Sequence, residues 1–218
     1  AVTTIKYAYL KKIKEPTMKN EFWFSTYFQS TEPVKNAEFK VSIPGDKTLN
    51  YKTKPQGLEP EIKGGEIKKY IWSRKNIKGL KKEPSMPSLN NMLDYVRISS
   101  LENWQEVSKW YKSLINDQYE LNQKIKNKVR ELTAGKETEK EKAAAIYNFV
   151  AENIRYVGLE YGIGGYKPHD AVEVYVNKYG DCKDKATLLI AMLKEIGVSG
   201  QPVLINTAAD YSLDIATI

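Results

Sequence analysis

The sequence predicts an α+β protein: an antiparallel β-rich, sandwich-like domain over residues 1–115, then a mainly helical domain over residues 116–218. Three observations predict it. Short stretches with alternating or β-branched and aromatic character recur up to about residue 99, separated by Pro- and Gly-bearing turns. From about residue 100 the apolar period changes from two to 3.6. Helix-capping patterns at Ser99-x-x-Glu102 and Thr138-x-x-Glu141 accompany that change.

Residues 1–100 supply the strands. Val2 to Ile13 is rich in β-branched and aromatic residues and ends in a Lys/Pro turn. Glu21 to Gln29 carries aromatics on both faces, and Ala37 to Ile43 alternates cleanly, as a half-buried antiparallel strand does. Pro44-Gly45-Asp46 turns the chain. Leu49 to Lys54, Glu66 to Lys75 and Tyr95 to Ser99 are further strands, and residues 76–94 read as a long surface loop. No histidine or cysteine falls in this part, so it reads as a binding or positioning module or as plain scaffold.

Helices follow. Trp104, Val107, Trp110, Tyr111 and Leu114 form the stripe of an amphipathic helix capped by Ser99-x-x-Glu102, packing on the sheet or bridging to the next domain. A second helix spans Gln118 to Leu132 and ends at Ala134-Gly135. A third starts at Thr138 and turns Ile146, Phe149, Val150 and Ile154 inward. Asp170 caps a short helix through Ala171, Val172, Val174 and Tyr175. The helix after Gly180-Asp181 carries Ala186, Leu189, Leu193 and Ile196 at helical spacing and closes at Gly197. Pro202 to Thr207 reads as a buried strand.

Composition excludes several classes. Lys and Arg total 34 against 27 Asp and Glu, giving +7, but the lysines are scattered through polar positions, as on solvated faces rather than in a nucleic-acid groove. A single cysteine forbids an internal disulfide. No run of 18 apolar residues offers a membrane span. The start, Ala1-Val2-Thr3-Thr4, is not a signal peptide, and any targeting segment would already have been removed.

That cysteine, Cys182, lies just after Gly180-Asp181 at the first turn of an apolar helix. Helix-start N–H groups and the positive end of the dipole favour thiolate there. The bland alternative is a small core residue on the apolar side of its helix. Gly158-x-x-x-Gly162 with Gly164-Gly165 lacks the Lys-Ser/Thr ending of a phosphate loop and the spacing of a dinucleotide fingerprint, so no nucleotide and no other cofactor is expected. A loop whose glycines allow close backbone approach is the plainer account.

Tyr179-Gly180-Asp181-Cys182-Lys183-Asp184-Lys185-Ala186, then Leu188-Leu189 and Gly197-Val198, resembles the nucleophile segment of the transglutaminase-like superfamily, which shares the papain-type arrangement. Arg155-Tyr156-Val157-Gly158 and Gly164-Gly165-Tyr166-x-Pro168-His169 sharpen the match to a bacterial branch in which a β-rich domain of unknown function precedes the core. The resemblance implies thiol acyl chemistry on peptide or protein amides, hydrolysis or transfer, with Cys182 as nucleophile and no metal. It places Tyr166, His169, Asp181 and Asp184 along the cleft. His169, thirteen residues before Cys182, is either a base or, more plainly, a structural group.

The superfamily's own histidine and aspartate follow a strand like 202–207. No histidine follows His169, and Asp210 and Asp214 sit in no supporting motif. The expectation is therefore either a piece of a longer protein, inactive as it stands, or a family member that has lost its catalysis. Its partner would be a protein or peptide substrate, a glycan or peptidoglycan peptide being included, and its location the periplasm or cell surface. The rival reading is a non-catalytic envelope module that recognises a protein or glycan through the β-rich domain.

Overall fold

A computed structural model describes residues 3–158 and 160–205. The chain forms two compact units that divide between Glu102 and Asn103. The first holds antiparallel strands and the second holds the helices.

The first unit contains β1 (Trp23–Tyr27), β2 (Val34–Pro44), β3 (Asn50–Lys54), β4 (Glu61–Lys63), β5 (Ile67–Ile77), a single turn α1 (Leu89–Met92) and β6 (Tyr95–Ser99). They make two three-stranded antiparallel sheets, in the orders β1-β6-β3 and β2-β5-β4. The long β2–β5 ladder runs from Val34 opposite Ile77 to Pro44 opposite Ile67. Period-two alternation turns Val41, Ile43, Tyr70 and Trp72 inward, where they meet Val96 and Ile98 of the other sheet. Trp72 is fully buried at the centre. Phe39 and Tyr70 stack on it at 5.7 and 6.0 Å, and Tyr51 of β3 meets it edge-on at 5.5 Å. Phe24 on β1 stacks on Phe39 at 5.8 Å, so aromatic pairs join the two sheets of the sandwich.

Two strand readings change here. Residues 3–13 belong to no ladder, and Ile5, Tyr7, Tyr9, Leu10 and Ile13 are exposed. Their composition favours a strand, but a strand needs a neighbour, and the two sheets are completed by other segments. Val2 lies outside the described residues. Conversely, Glu61-Ile62-Lys63 is a short edge strand on Lys69–Ile71 that carries no burial signal, because all three residues are exposed.

The second unit contains α2 (Trp104–Ile115), a 3₁₀ turn at Asn116–Gln118, α3 (Gln123–Thr133), α4 (Glu139–Asn153), β7 (Arg155–Tyr156), α5 (Ala171–Asn177), β8 (Tyr179–Gly180) and α6 (Cys182–Glu195). Residues 116–205 were expected to be mainly helical, and they are. The expected division near residue 115 and the contact division after Glu102 differ by the length of α2. That helix turns Val107, Tyr111 and Ile115 inward, and its Trp110 meets Tyr166 edge-on at 5.1 Å within the helical unit.

The cap of α2 is Asn103, whose side chain accepts from the Glu106 N–H at 3.1 Å, and not Ser99. Ser99 ends β6, and its buried hydroxyl accepts from the Leu101 N–H. The next helix begins at Gln123 rather than Gln118 because Asn122 caps it through the Ile125 N–H. Thr138 and Glu141 form the reciprocal box read from the sequence, and Asp170 caps α5 through the Glu173 N–H.

The core of this unit joins Ile125 and Val129 of α3, Ile146, Phe149 and Val150 of α4, Ile154, Ala171 and Val174 of α5, and Leu188, Ala191 and Met192 of α6. The buried arc of α6 centres on Thr187, Leu188, Ala191 and Met192. The expected stripe of Leu189, Leu193 and Ile196 flanks it, half-buried, because α3, α4 and α5 cover the helix from several sides. Residues 202–205 form no strand, and Val203, Leu204 and Ile205 are exposed; among the described residues no strand pairs with them. Asn206, Thr207, Asp210 and Asp214 lie outside the described residues.

Two outcomes test this packing. Trp72→Ala empties the centre of the sandwich and is expected to cost about 3–5 kcal/mol in denaturant unfolding, whereas Ile62→Ala on the exposed edge strand changes stability by less than about 0.5 kcal/mol. Folding holds the Glu141 carboxyl below its ordinary range, first through the Thr138 backbone N–H. Its contribution is full above the ordinary carboxylate range and fades as pH falls through the lowered value. Glu141→Gln is therefore expected to reduce the acid-side slope of thermal stability.

Candidate active site

The site is built on the first turn of α6. Asp181 is the N-cap: its Oδ1 accepts from the Lys183 N–H at 3.0 Å and the Asp184 N–H at 3.4 Å. Asp184, three residues on, returns the contact, with Oδ2 accepting from the Asp181 N–H at 3.0 Å. Both carboxylates are buried, and the Lys183 ammonium sits on Asp181 Oδ2. Each buried charge thus has a partner, as burial requires.

Asp184 does a second thing. Its Oδ1 accepts from the His169 N–H at 2.9 Å, and the His169 ring nitrogen Nδ1 lies 3.3 Å from both of its oxygens. The Pro168-His169 end of the Gly/aromatic loop is thereby tied to the first turn of α6. Gly180 explains itself in the same place. A Cβ there would come within 2.6 Å of Asp184 Cβ and 2.9 Å of Oδ2, so any side chain would drive the second half of the capping box away.

Cys182 is the first residue of α6 and is exposed. Because Asp181 takes the Lys183 and Asp184 amides, and Lys185 N–H returns to the Asp181 carbonyl, the N–H of Cys182 itself is left without a partner among the described residues. The short parallel pair β7–β8 places Tyr156 opposite Gly180, closed by Val157 N–H to the Gly180 carbonyl at 2.9 Å. From there the Tyr156 phenol is raised above its ordinary value, chiefly by the charge of Cys182 beside it. Tyr111 of α2 is raised as well, first by burial and then by Cys182. A carboxylate oxygen of Glu160, one of Asp181 and the Cys182 sulfur all lie within 4.8 Å of one another.

Of the residues picked out in the sequence, Cys182, Asp181 and Asp184 come together on one helix turn. His169 joins them through Asp184, with its contacts on that carboxylate rather than on the thiol. Tyr166 stands one step back against Trp110, and burial raises its phenol. Tyr156, Glu160 and Tyr111 were missed as neighbours of the thiol. Tyr156 and Glu160 stand inside the quoted motif, but only the β7–β8 pairing brings them to the sulfur.

As a metal set, Glu160, Asp181 and Cys182 fall short. The Asp181 oxygens are already taken by two amides and an ammonium, which leaves two free donors where a zinc site needs three or four protein ligands. Further along α6, a cavity of about 660 Å³ opens between α2, the 3₁₀ turn and the Gly197–Pro202 segment. Tyr111 lines it, as does Tyr119, whose buried hydroxyl has no hydrogen-bond partner among the described residues.

Comparison with known proteins agrees with this geometry. Residues 126–211 match the model of the transglutaminase-like superfamily core, and residues 3–81 match that of a domain of unknown function with a solved structure, DUF3857. The fold superposes on the crystal structure of a candidate protease from Parabacteroides distasonis with a TM-score of 0.62 and 21% identity over 83% of this chain; the chain spans 35% of that protein. A candidate cysteine protease from Cytophaga hutchinsonii superposes with a TM-score of 0.34 and 12% identity, covering 82% of this chain and 67% of that one, which is too distant to carry an argument. No curated protein matches the sequence. With its Gly-Asp-Cys turn in place, the stretch over residues 126–211 is a transglutaminase-like core segment, and a DUF3857 segment over residues 3–81 precedes it.

Proposed function

We propose that the intact protein performs thiol acyl chemistry on peptide or protein amides, with Cys182 as the nucleophile. The observation that carries this is the exposed sulfur at the first position of a doubly capped helix, beside its own unpartnered N–H. The thiolate attacks the amide carbonyl carbon, forming a C–S bond, and the carbonyl oxygen takes the electron pair. The Cys182 N–H and the helix terminus face the charge that develops there. Collapse of this intermediate expels the amine, which must gain a proton, and water or a second amine then takes the acyl group from sulfur.

The proton carrier is not assigned to His169, whose ring is engaged with Asp184. The reading takes it from the histidine that the superfamily carries on a following strand, outside these 218 residues. A cavity lined in part by Tyr111, whose phenol also feels Cys182, offers space for a substrate side chain.

Alkylation reads the thiol directly. Iodoacetamide is expected to modify Cys182 at pH 7 at least tenfold faster than an ordinary exposed cysteine; a rate that rises only around pH 8.5 would sink the proposal. Gly180→Ala, by pushing on Asp184, is expected to slow that alkylation and to cost about 1–3 kcal/mol of stability. In the full-length protein Cys182→Ala should abolish amide turnover with the melting temperature unchanged. Retained turnover would assign the chemistry elsewhere.

A further inference from the structure

One carboxylate stands apart from the paired groups around Cys182. Asp181 is matched by the Lys183 ammonium, and Asp184 is turned to His169. Tyr111 and Tyr156 are neutral phenols with raised values. Glu160 remains: an exposed carboxylate with no ion pair among the described residues, within 4.8 Å of both the sulfur and the Asp181 oxygen. Among the described residues it caps no helix and makes no side-chain hydrogen bond.

We propose that Glu160 is a specificity-determining residue that selects substrates carrying a positive charge on the residue that supplies the reacting carbonyl, or on its immediate neighbour. This rests on Cys182 being the nucleophile. The range follows from geometry. A carbonyl carbon in contact with the sulfur lies a few ångströms from the Glu160 oxygens, and successive Cα atoms are 3.8 Å apart, so only the reacting residue and the next one fall within ion-pair reach. An anionic substrate group in the same place meets the unpaired carboxylate and is repelled. Two groups supply such a cation, a free N-terminal ammonium and a basic side chain.

Charged thiol reagents test this on the chain as it stands, because it has one cysteine. A trimethylammonium-ethyl and a sulfonato-ethyl methanethiosulfonate each give the thiolate the same mixed disulfide linkage and release the same methanesulfinate, so their rate ratio reports charge alone. One unit charge about 5 Å away in water, screened at 0.15 M salt, changes each rate by about twofold and in opposite directions. Glu160→Gln is therefore expected to lower the cation-to-anion ratio about fourfold, and 1 M salt to lower it in the wild type. Glu195→Gln, about 20 Å along α6 from the thiol, should leave it unchanged. An unchanged ratio in Glu160→Gln overturns the proposal.

The absolute rate with iodoacetamide tests the nucleophile separately, so the two ideas fail independently. Peptidyl chloromethyl ketones, on which the sulfur displaces chloride, then distinguish the sources of the cation. If Glu160→Gln slows a reagent with a free N-terminal ammonium, the amino terminus is recognised; if it slows an N-acetyl-lysyl reagent, the side chain is. Slowing of neither overturns the substrate assignment.

Discussion

One buried carboxylate holds the start of α6 and the loop before it in register. Asp184 accepts from the Asp181 N–H and the His169 N–H and faces the His169 ring, so one side chain closes the helix cap and docks the preceding loop. Hydrogen bonds to a charged acceptor are worth about 1.5–3 kcal/mol each, and a buried carboxylate stripped of them would bear its full desolvation cost. That asymmetry makes the arrangement all-or-none. It also dictates the glycine at 180, since the space a side chain would occupy is already filled by Asp184 itself. The order Gly-Asp-Cys-x-Asp is therefore a packing statement before it is a chemical one: a bare backbone position, a cap, an exposed thiol, and the carboxylate that returns to the cap.

The two units solve the burial problem by different means. The sandwich is centred on aromatic contact, with Trp72 enclosed by Phe39, Tyr51 and Tyr70 and with Phe24 extending the stack across the sheets. The helical unit is centred on aliphatic side chains and on backbone satisfaction at helix ends. Lys185 illustrates the second, donating from its ammonium to the Ala151 and Ile154 carbonyls at 3.1 and 2.7 Å and so finishing α4 from the neighbouring α6. Lys178, at the left-handed end of α5, lies 3.6 Å over the Tyr175 ring.

What the sequence makes legible follows the range of the interaction. Caps are written within four residues, so Thr138 with Glu141, Asp170 and Asp181 could be found by reading alone. Ser99-x-x-Glu102 has the same letters but sits at the end of a strand, where the hydroxyl is drawn to Leu101 instead. Strand character in residues 3–13 and 202–205 is equally local, but a ladder is not, and no partner among the described residues takes them up. Within the site, Cys182 and its two aspartates share one helix turn and could be read together. Tyr156 and Glu160 reach the sulfur only because a two-residue parallel ladder folds the loop over the helix start, and two residues carry too little pattern to be foreseen.

The same ladder has a consequence for how such a site can diversify. The stretch from Val157 to His169 is fastened at both ends to residues 180–184, by the Gly180 carbonyl at one end and the Asp184 carboxylate at the other. It is a closed ring hung from the first turn of α6. Lengthening such a ring costs little, since closure entropy grows only with the logarithm of its length. Residues can therefore be exchanged or inserted between the fasteners, changing what the thiol meets, without the strain reaching the thiol itself. Placement and selectivity are mechanically separate in this chain.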